Sequence, residues 1–393
     1  MKINNFYDIV VVGGGPAGGM TALTAAKNGA SVLILERDRE VGIPVRCAEG
    51  ISLKGLTKFF EPDDKWISNY IEGTKLYAPN GEFCIMIASA IGKGVILERR
   101  LFDAHICKEA AKYGAEILTK ADVYDLIKED GVICGVKFKY FNEEKQVKTN
   151  LVIGADGAES RIGRLAGLNT TLQLSDIESS AQYLLTNIET EHHYCYLYFG
   201  NKIAPGGYVW IFPKGKNIAN VGIGVRQDRC NEKNAKEYLD EFIEKKFPDS
   251  KIISFIAGCV PIAPTLKKIT GDNIMLVGDS ARQINPVTGG GLSSVLIAGK
   301  IAGEVATEAI QKNDFSDKLL KKYHKIWMKE KGNDQKVMYK LKEIFFDFTD
   351  EKLNEIVKII NVIPKEKLTI FKLFKVAVRE HPSLIKELIK IYI

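Results

Sequence analysis

The chain has 393 residues, 46% of them hydrophobic and 26% charged, the composition of a globular protein with enough core for two or three domains. No apolar run approaches the ~18 residues of a membrane-spanning helix, and the few residues ahead of the first strand leave no room for a signal peptide, so a cytoplasmic protein is expected. The net charge of +6 comes with no nucleic-acid-binding motif, which excludes the simplest reading of a basic chain.

In chain order, residues 8–12 (Asp-Ile-Val-Val-Val) read as a buried parallel strand. Gly13, Gly15 and Gly18 follow with the G-x-G-x-x-G spacing. Gly13 permits a tight turn, Gly15 lets the backbone approach a pyrophosphate, and Gly18 lets the next helix pack on the strand. A helix expected over 16–28 aims its first N–H groups at the phosphates. A second strand, 31–35, ends in Glu36, about twenty residues past the glycines, where a carboxylate can bind both ribose hydroxyls.

The loop 37–52 carries Cys47, Glu49 and several arginines. It reads either as a segment that reaches over the ligand or as a solvated charged loop. The seven cysteines are odd in number, scattered and without C-x-x-C spacing, which argues for reduced thiols and against a disulfide framework or a metal site. Short strands are expected at 73–77 and 83–88, a helix up to about residue 113, and a strand at 115–118. Residues 123–127, 132–140 and 147–152 read as a three-stranded antiparallel meander. Its last strand delivers Asp156-Gly157, with a helix starting near Ser160.

From 173 to 260 the pattern alternates. Strands at 181–188, 194–199, 208–212 and 219–225, a helix at 234–246 and a strand at 252–256 describe a second domain, an antiparallel sheet with a helix. Tyr208, Trp210 and Phe212 fall on one face, either as packed core or as the apolar wall of a ligand pocket. Residues 273–281 return to an apolar strand that ends in Gly278-Asp279. Gly289, Gly290 and Gly291 then open an Ala-rich helix to about 311, a second place where backbone N–H groups can face an anion.

Residues 315–393 read as helix throughout, with breaks near Gly332, at 348–350 with Thr349 as N-cap, at Pro364 and at Pro382. This segment holds 18 Lys+Arg against 11 Asp+Glu, and the rest of the chain is close to neutral. Within it, residues 368–379 are largely apolar, with Lys372, Lys375 and Arg379 along one stripe. Such a helix either lies on an anionic bilayer or packs on the body of the protein.

Gly13–Gly18 with Glu36, residues 154–161 and residues 278–286 together resemble the FAD-binding signature of the p-hydroxybenzoate hydroxylase superfamily. Pro44-Val45-Arg46-Cys47-Ala48-Glu49-Gly50 and Tyr208-Val209-Trp210-Ile211-Phe212-Pro213 narrow the resemblance to its geranylgeranyl reductase branch. The resemblance implies an α/β chain with a Rossmann-like FAD-binding domain built on a βαβ dinucleotide unit (1–170 with 260–312). It also implies an α+β antiparallel-sheet substrate domain (171–259) and a helical C-terminal region (313–393), with part of 53–94 joining the substrate domain.

The implied cofactor contacts are Gly13, Gly15, Ala17, Gly18 and Glu36; Cys47, Ala48 and Gly50; Arg99 and Val123; Asp156 and Gly157; and Asp279, Gly291 and Leu292. Tyr208, Trp210 and Phe212 would line the substrate pocket. The implied activity is FAD-dependent saturation of geranylgeranyl double bonds in archaeal-type membrane lipid precursors. Flavin N5 would supply a hydride, and a proton would come from Cys47, with Glu49 or water as rivals. No second G-x-G-x-x-G unit is present, so the electron donor must be external: ferredoxin, a deazaflavin or NAD(P)H. The alternatives are an FAD-dependent aromatic monooxygenase and a non-catalytic flavin- or lipid-binding protein.

Overall fold

In the computed structural model, which describes residues 3–230 and 233–364, the first apolar run is the strand Phe6–Val12. It lies between two parallel partners, Val32–Leu35 and Glu143–Gly154. Glu116–Leu118 extends the sheet beyond Val32–Leu35, and Ile274–Leu276 extends it beyond Glu143–Gly154. The short Thr270–Gly271 closes one edge antiparallel. Ile9, Val10, Val11, Leu33, Ile34, Leu151, Val152 and Ile153 are all fully buried, as a sheet covered on both faces requires. The helices Pro16–Lys27, Arg99–Lys112, Leu292–Lys312 and Asp317–Trp327 contribute to the same core.

The expected meander is present as Ala121–Glu129, Val132–Tyr140 and Glu143–Gly154. Its third strand is longer than the sequence suggests. Its first four residues are exposed, Val147–Asn150 alternate between buried and more exposed positions, and Leu151–Gly154 are buried throughout, because the strand leaves the meander and enters the covered parallel sheet. The helix expected near Ser160 is reduced to a 3-10 turn, Gly157–Glu159, and the short Arg161–Leu165. The break expected near Gly332 is a correction: the chain stays helical through a π turn, Met328–Gly332, into Asn333–Phe345. A Cβ on residue 332 would collide with the Met328 side chain, so this glycine accommodates the widened turn and does not end the helix.

Two compact units result. The first takes the chain up to Val45, Arg99–Leu172 and Pro261–Tyr339; the second takes Arg46–Glu98, Gln173–Val260 and the chain from Lys340. The whole segment 46–98 packs with the second unit, where the sequence leads one to expect only part of 53–94.

That unit holds a seven-stranded sheet in the order Lys251–Pro261, Ile177–Thr186, Ile218–Arg226, Tyr208–Gly215, Tyr194–Tyr198, Gly73–Tyr77, Phe83–Ile87. Residues directly opposite on paired strands share a face. One face carries Ala181, Tyr183, Leu185, Val209, Ile211, Val221 and Ile223, packed with Ala235 and Leu239 of the helix Ala235–Lys246. A capping box between Asn234 and Glu237 starts that helix. The helix Asp350–Asn361 starts at Thr349, whose hydroxyl accepts the Lys352 N–H, and buries Leu353, Ile356 and Ile360 in one cluster with Cys84 and Met86. A small sheet of Gly50–Ser52, Gly94–Leu97 and Ile67–Ile71 completes the unit. The helix expected over 368–379 and the break at Pro382 lie outside the described residues.

Candidate active site

In the first unit, Val12 is in register with both Leu35 and Gly154, and Gly154 with Leu276. Four parallel strands therefore end in one line. The chain leaves them through Gly13, Glu36, Ala155-Asp156 and Val277-Gly278-Asp279, at the carboxyl edge where doubly wound sheets bind their ligands.

Gly13 has φ +107, a Cβ there would collide with the Ala155 carbonyl, and its N–H donates to Leu35 O at 2.9 Å. Glu36 Oε2 accepts the Gly14 N–H at 2.7 Å and Oε1 accepts the Asp38 N–H at 2.9 Å. Two backbone donors thus fix the carboxylate, and each oxygen keeps a lone pair for a further donor. The helix Pro16–Lys27 starts at Gly15 with no side-chain cap, and nothing lies within 4 Å of the place a Gly15 Cβ would take. Its first N–H groups, Ala17 and Gly18 among them, form an uncapped anion-binding terminus. Gly291 opens Leu292–Lys312 in the same uncapped way.

Asp156 Oδ2 accepts the Ile162 N–H at 2.9 Å, while Oδ1 is buried with no hydrogen-bond partner. Burial raises the Asp156 carboxyl above its ordinary pKa, and the backbone donors at its side pull the other way. A buried acceptor left unpaired costs about 1–3 kcal/mol and marks a place for a polar ligand. Burial also raises Asp279, opposed by the Arg99 guanidinium. Arg99 holds Asp103 through two 2.7 Å bonds. Gly157 has φ +71. Val123 is buried and its carbonyl accepts from Arg161.

In the second unit the other expected residues meet on one sheet face. Tyr208 is opposite Gly224, Trp210 opposite Gly222 and Phe212 opposite Asn220. A Cβ on residue 222 would collide with the Trp210 indole, and one on Gly50 would lie 2.8 Å from the Phe212 ring. Tyr208 and Trp210 meet edge-on, with ring centroids 6.0 Å apart.

The loop 46–50 is bolted to this face. Trp210 Nε1 donates to Gln182 Oε1 at 2.8 Å, and Gln182 Nε2 donates to Cys47 O at 3.0 Å. Asn220 Nδ2 donates to Ala48 O at 3.3 Å and to Glu49 Oε2 at 2.6 Å. Lys214 Nζ lies 2.6 Å from Glu49 Oε2 and 2.9 Å from Glu98 Oε1. Cys47 Sγ accepts the Glu49 N–H at 3.2 Å. Glu49 is 3% exposed, so the loop is not a solvated charged one.

Lys214, Gln182 and Asn220 carry this arrangement, and motif reading passed over all three. Lys214 directly follows the Tyr-x-Trp-x-Phe-Pro run. Glu178, Ser180 and Gln182 alternate along one strand, a pattern that reads equally well as a solvated face until the fold covers it. Cys84 and Cys107 are thiols whose pKa burial pushes up to about 11 and about 12. Among the described residues no His, Cys, Asp and Glu side chains gather as a metal-ligating set.

Residues 176–260 match the geranylgeranyl reductase catalytic domain family, and residues 7–194 match the pyridine nucleotide-disulphide oxidoreductase family. The chain is 44% identical to digeranylgeranylglycerophospholipid reductase 1 of Methanococcoides burtonii, over 92% of this chain and 89% of that protein. It is 41% identical to the digeranylgeranylglycerophospholipid reductase of Methanosarcina acetivorans, over 98% and 96%. The crystal structure of a geranylgeranyl bacteriochlorophyll reductase-like protein from Thermoplasma acidophilum superposes with a TM-score of 0.93 at 36% identity, over 98% of this chain and 99% of that one. A flavin-dependent brominase shares the fold at 17% identity and a TM-score of 0.70. Near-full-length identity of about two residues in five, together with a matching catalytic-domain segment, means that the chain belongs to the digeranylgeranylglycerophospholipid reductase family.

Proposed function

We propose that the chain is an FAD-dependent reductase that saturates the isoprenoid double bonds of geranylgeranyl membrane lipids. The observation that carries this reading is the sheet face of the second unit. There an aromatic row of Tyr208, Trp210 and Phe212 stands beside a thiol-bearing loop locked by Gln182, Asn220 and Lys214. That face falls inside the segment matched to the geranylgeranyl reductase catalytic domain.

The first unit fits FAD. It offers two uncapped helix starts for phosphates, a carboxylate held ready for ribose, and a buried Asp156 oxygen that lacks a donor. Reduced FAD, when bound, supplies a hydride. The chain's own residues do the rest. The aromatic row holds an apolar chain, whose burial is worth roughly 0.8 kcal/mol per CH₂. Cys47 gives the proton, since a thiol of ordinary pKa ~8.5 is protonated at neutral pH. Glu49, paired with Lys214 and Asn220, anchors the loop that carries Cys47.

The electron donor is external: ferredoxin, a deazaflavin or NAD(P)H. No helix among the described residues is long and apolar enough to cross a membrane. The basic stripe of 368–379 supports peripheral contact with an anionic bilayer.

Anaerobic incubation of dithionite-reduced holoenzyme with a geranylgeranyl lipid tests the reading by mass spectrometry. Masses rising by two hydrogens per bond are expected, with slowing of about 10²-fold or more in Cys47→Ala. An unchanged lipid, or hydroxylation of phenols on aerobic NADPH oxidation, contradicts it. Full turnover by Cys47→Ala leaves the reductase standing but removes its proposed acid.

A further inference from the structure

Gln335, on the helix Asn333–Phe345, has none of the roles assigned above and is 5% exposed. Its Oε1 accepts the Thr265 N–H at 3.1 Å and the Thr265 hydroxyl. Its Nε2 donates to Ile284 O at 2.7 Å, to Arg282 O and, at 3.4 Å, to Ala263 O. The direction of the amide follows from its partners. Trp327 Nε1, which can only donate, donates to Thr265 Oγ1 at 2.8 Å, so the hydroxyl proton turns to Gln335 Oε1. The Thr265 N–H likewise can only donate. Nε2 is left facing the three carbonyls, and a carboxylate or a thioether in its place would give them no donor.

The π turn Met328–Gly332 brings the side chain there. Trp327 and Gln335 are eight positions apart, which in an α-helix turns them about 80° from each other. The extra residue taken in by the wider turn gives back about 100°, so both side chains face Thr265. Gly332 permits the turn, since a Cβ there would collide with Met328 and stand 3.2 Å from Trp327 Nε1. The segment that Gln335 holds runs between Asp279 and the helix Leu292–Lys312. Arg282 has φ +61, costly for a residue with a side chain, and its carbonyl is one that Gln335 binds. The Arg282 N–H donates to Asp279 O at 2.9 Å. Gly291, the uncapped start of Leu292–Lys312, packs on the same segment: a Cβ there would lie 3.3 Å from Ile284 Cγ2 and 3.7 Å from Asp279 Oδ1. A second brace comes from Asp317–Trp327. The Tyr323 hydroxyl donates at 2.9 Å to Gln283 Oε1, which also accepts the Gly278 N–H at 2.8 Å.

We propose that Gln335 is a positioning residue for bound FAD: through Arg282 and Ile284 it fixes the Asp279 carboxylate against the N-terminus of Leu292–Lys312. The proposal rests on FAD lying at Asp279 and Gly291, and adds the residue that sets their spacing. It gives a part in the cofactor site to a segment that reads in sequence only as helix. Without the amide, buried carbonyls at 282 and 284 lose their donor, and a buried carbonyl without a partner drives its segment to move until it finds one. That movement carries Asp279 away from Gly291, because Asp279 is tied to Arg282 through the backbone and Gly291 packs on Ile284. The effect of Gln335 is therefore read in how tightly FAD is held and in the properties of the bound flavin.

The test is release of FAD from full-length holoenzyme on dilution, read by recovery of flavin fluorescence, together with urea denaturation of the same proteins. Gln335→Met keeps the length of the side chain and removes the amide. Its FAD affinity is expected to fall about tenfold or more, and the midpoint potential of the bound flavin to shift. Thr265→Val is the comparison. It strands Trp327 Nε1 and lowers stability, but the Thr265 N–H still holds Gln335 Oε1, so Nε2 keeps its carbonyls and FAD affinity is expected to stay near the parental value. Parental affinity and potential in Gln335→Met overturn the proposal, and so do affinities that fall in step with stability in both variants. Asp279→Asn separates the proposal from the reading beneath it. If that variant holds FAD like the parent, FAD does not lie at Asp279 and the proposal falls with that reading. If it weakens FAD and Gln335→Met does not, only the positioning role is lost. Should Gln335→Met not fold, hydrogen exchange in the parent supplies a second measurement. The holoenzyme is expected to exchange more slowly than the FAD-free chain at 328–335 as well as at 279–291, since coupling is reciprocal. No slowing at 328–335 overturns the proposal.

Discussion

Glu178 is 3% exposed, and burial holds its carboxyl protonated to about 7 in the folded chain, which has consequences for stability. The same residue in the unfolded chain releases its proton near 4.5. Between these values the folded state holds a proton that the unfolded state has lost. Stability therefore falls as pH rises from about 4.5 to 7 and stays at the lower level above. At 1.36 kcal/mol per unit the whole contribution is on the order of 3 kcal/mol. Glu178→Gln removes this cost above pH 7, because a neutral amide of the same shape needs no deprotonation. Urea midpoints are expected to favour the variant at pH 8 and to converge with the parent toward pH 5. The same offset at both pH values contradicts the assignment. Asp156 and Asp279, likewise raised by burial, add in the same direction wherever no ligand satisfies them.

At the scale of an element, the loop 46–50 owes its shape to the sheet face beneath it. Glu49 has φ +74, a costly conformation for a residue with a side chain, and it is held there by Lys214 and Asn220. The side chains of Glu49 and Lys214 are 4% and 8% exposed. Removing one partner from such a pair leaves a buried charge and costs about 3–5 kcal/mol. Lys214→Met is therefore expected to lower stability by that order and to loosen Cys47. The double variant Glu49→Gln, Lys214→Met should recover a large part of the stability, since both charges are then gone. Chemical denaturation of the three proteins checks this. A single variant as stable as the parent contradicts the anchoring role of the pair.

For the whole molecule, the charge distribution carries the remaining expectation. The basic excess lies in the last fifth of the chain, and the stripe of Lys372, Lys375 and Arg379 belongs to a sequence pattern suited to an anionic bilayer. Attraction of that kind is screened within a Debye length of ~10 Å at 0.1 M salt. Co-sedimentation with vesicles of anionic lipid is expected to fall as salt rises and to weaken in Lys372→Glu, Lys375→Glu. Equal sedimentation of parent and variant assigns the stripe a solvated role and leaves the lipid to reach the enzyme another way.

The amino-acid sequence by itself determined the dinucleotide unit. A β-branched run, glycines at 13, 15 and 18 and an acid closing the next strand interact over short spans, so spacing alone specifies their geometry. It also determined that Tyr208, Trp210 and Phe212 share a face, because strand periodicity is two wherever the strand lies. Only the tertiary structure decided what covers that face. Glu178, Ser180 and Gln182 alternate as a solvated edge would, and Asn220 stands as one amide among apolar neighbours. Strand register, with Gly224 and Gly222 opposite Tyr208 and Trp210, puts them on the aromatic face, and Gln182 and Asn220 there bond a loop more than a hundred residues away in sequence. Burial and charge at such positions come from partners distant along the chain, and no local pattern encodes them. The π turn at Met328–Gly332 shows the opposite limit of reading punctuation: the glycine there leaves room for the Met328 side chain inside a helix that runs on.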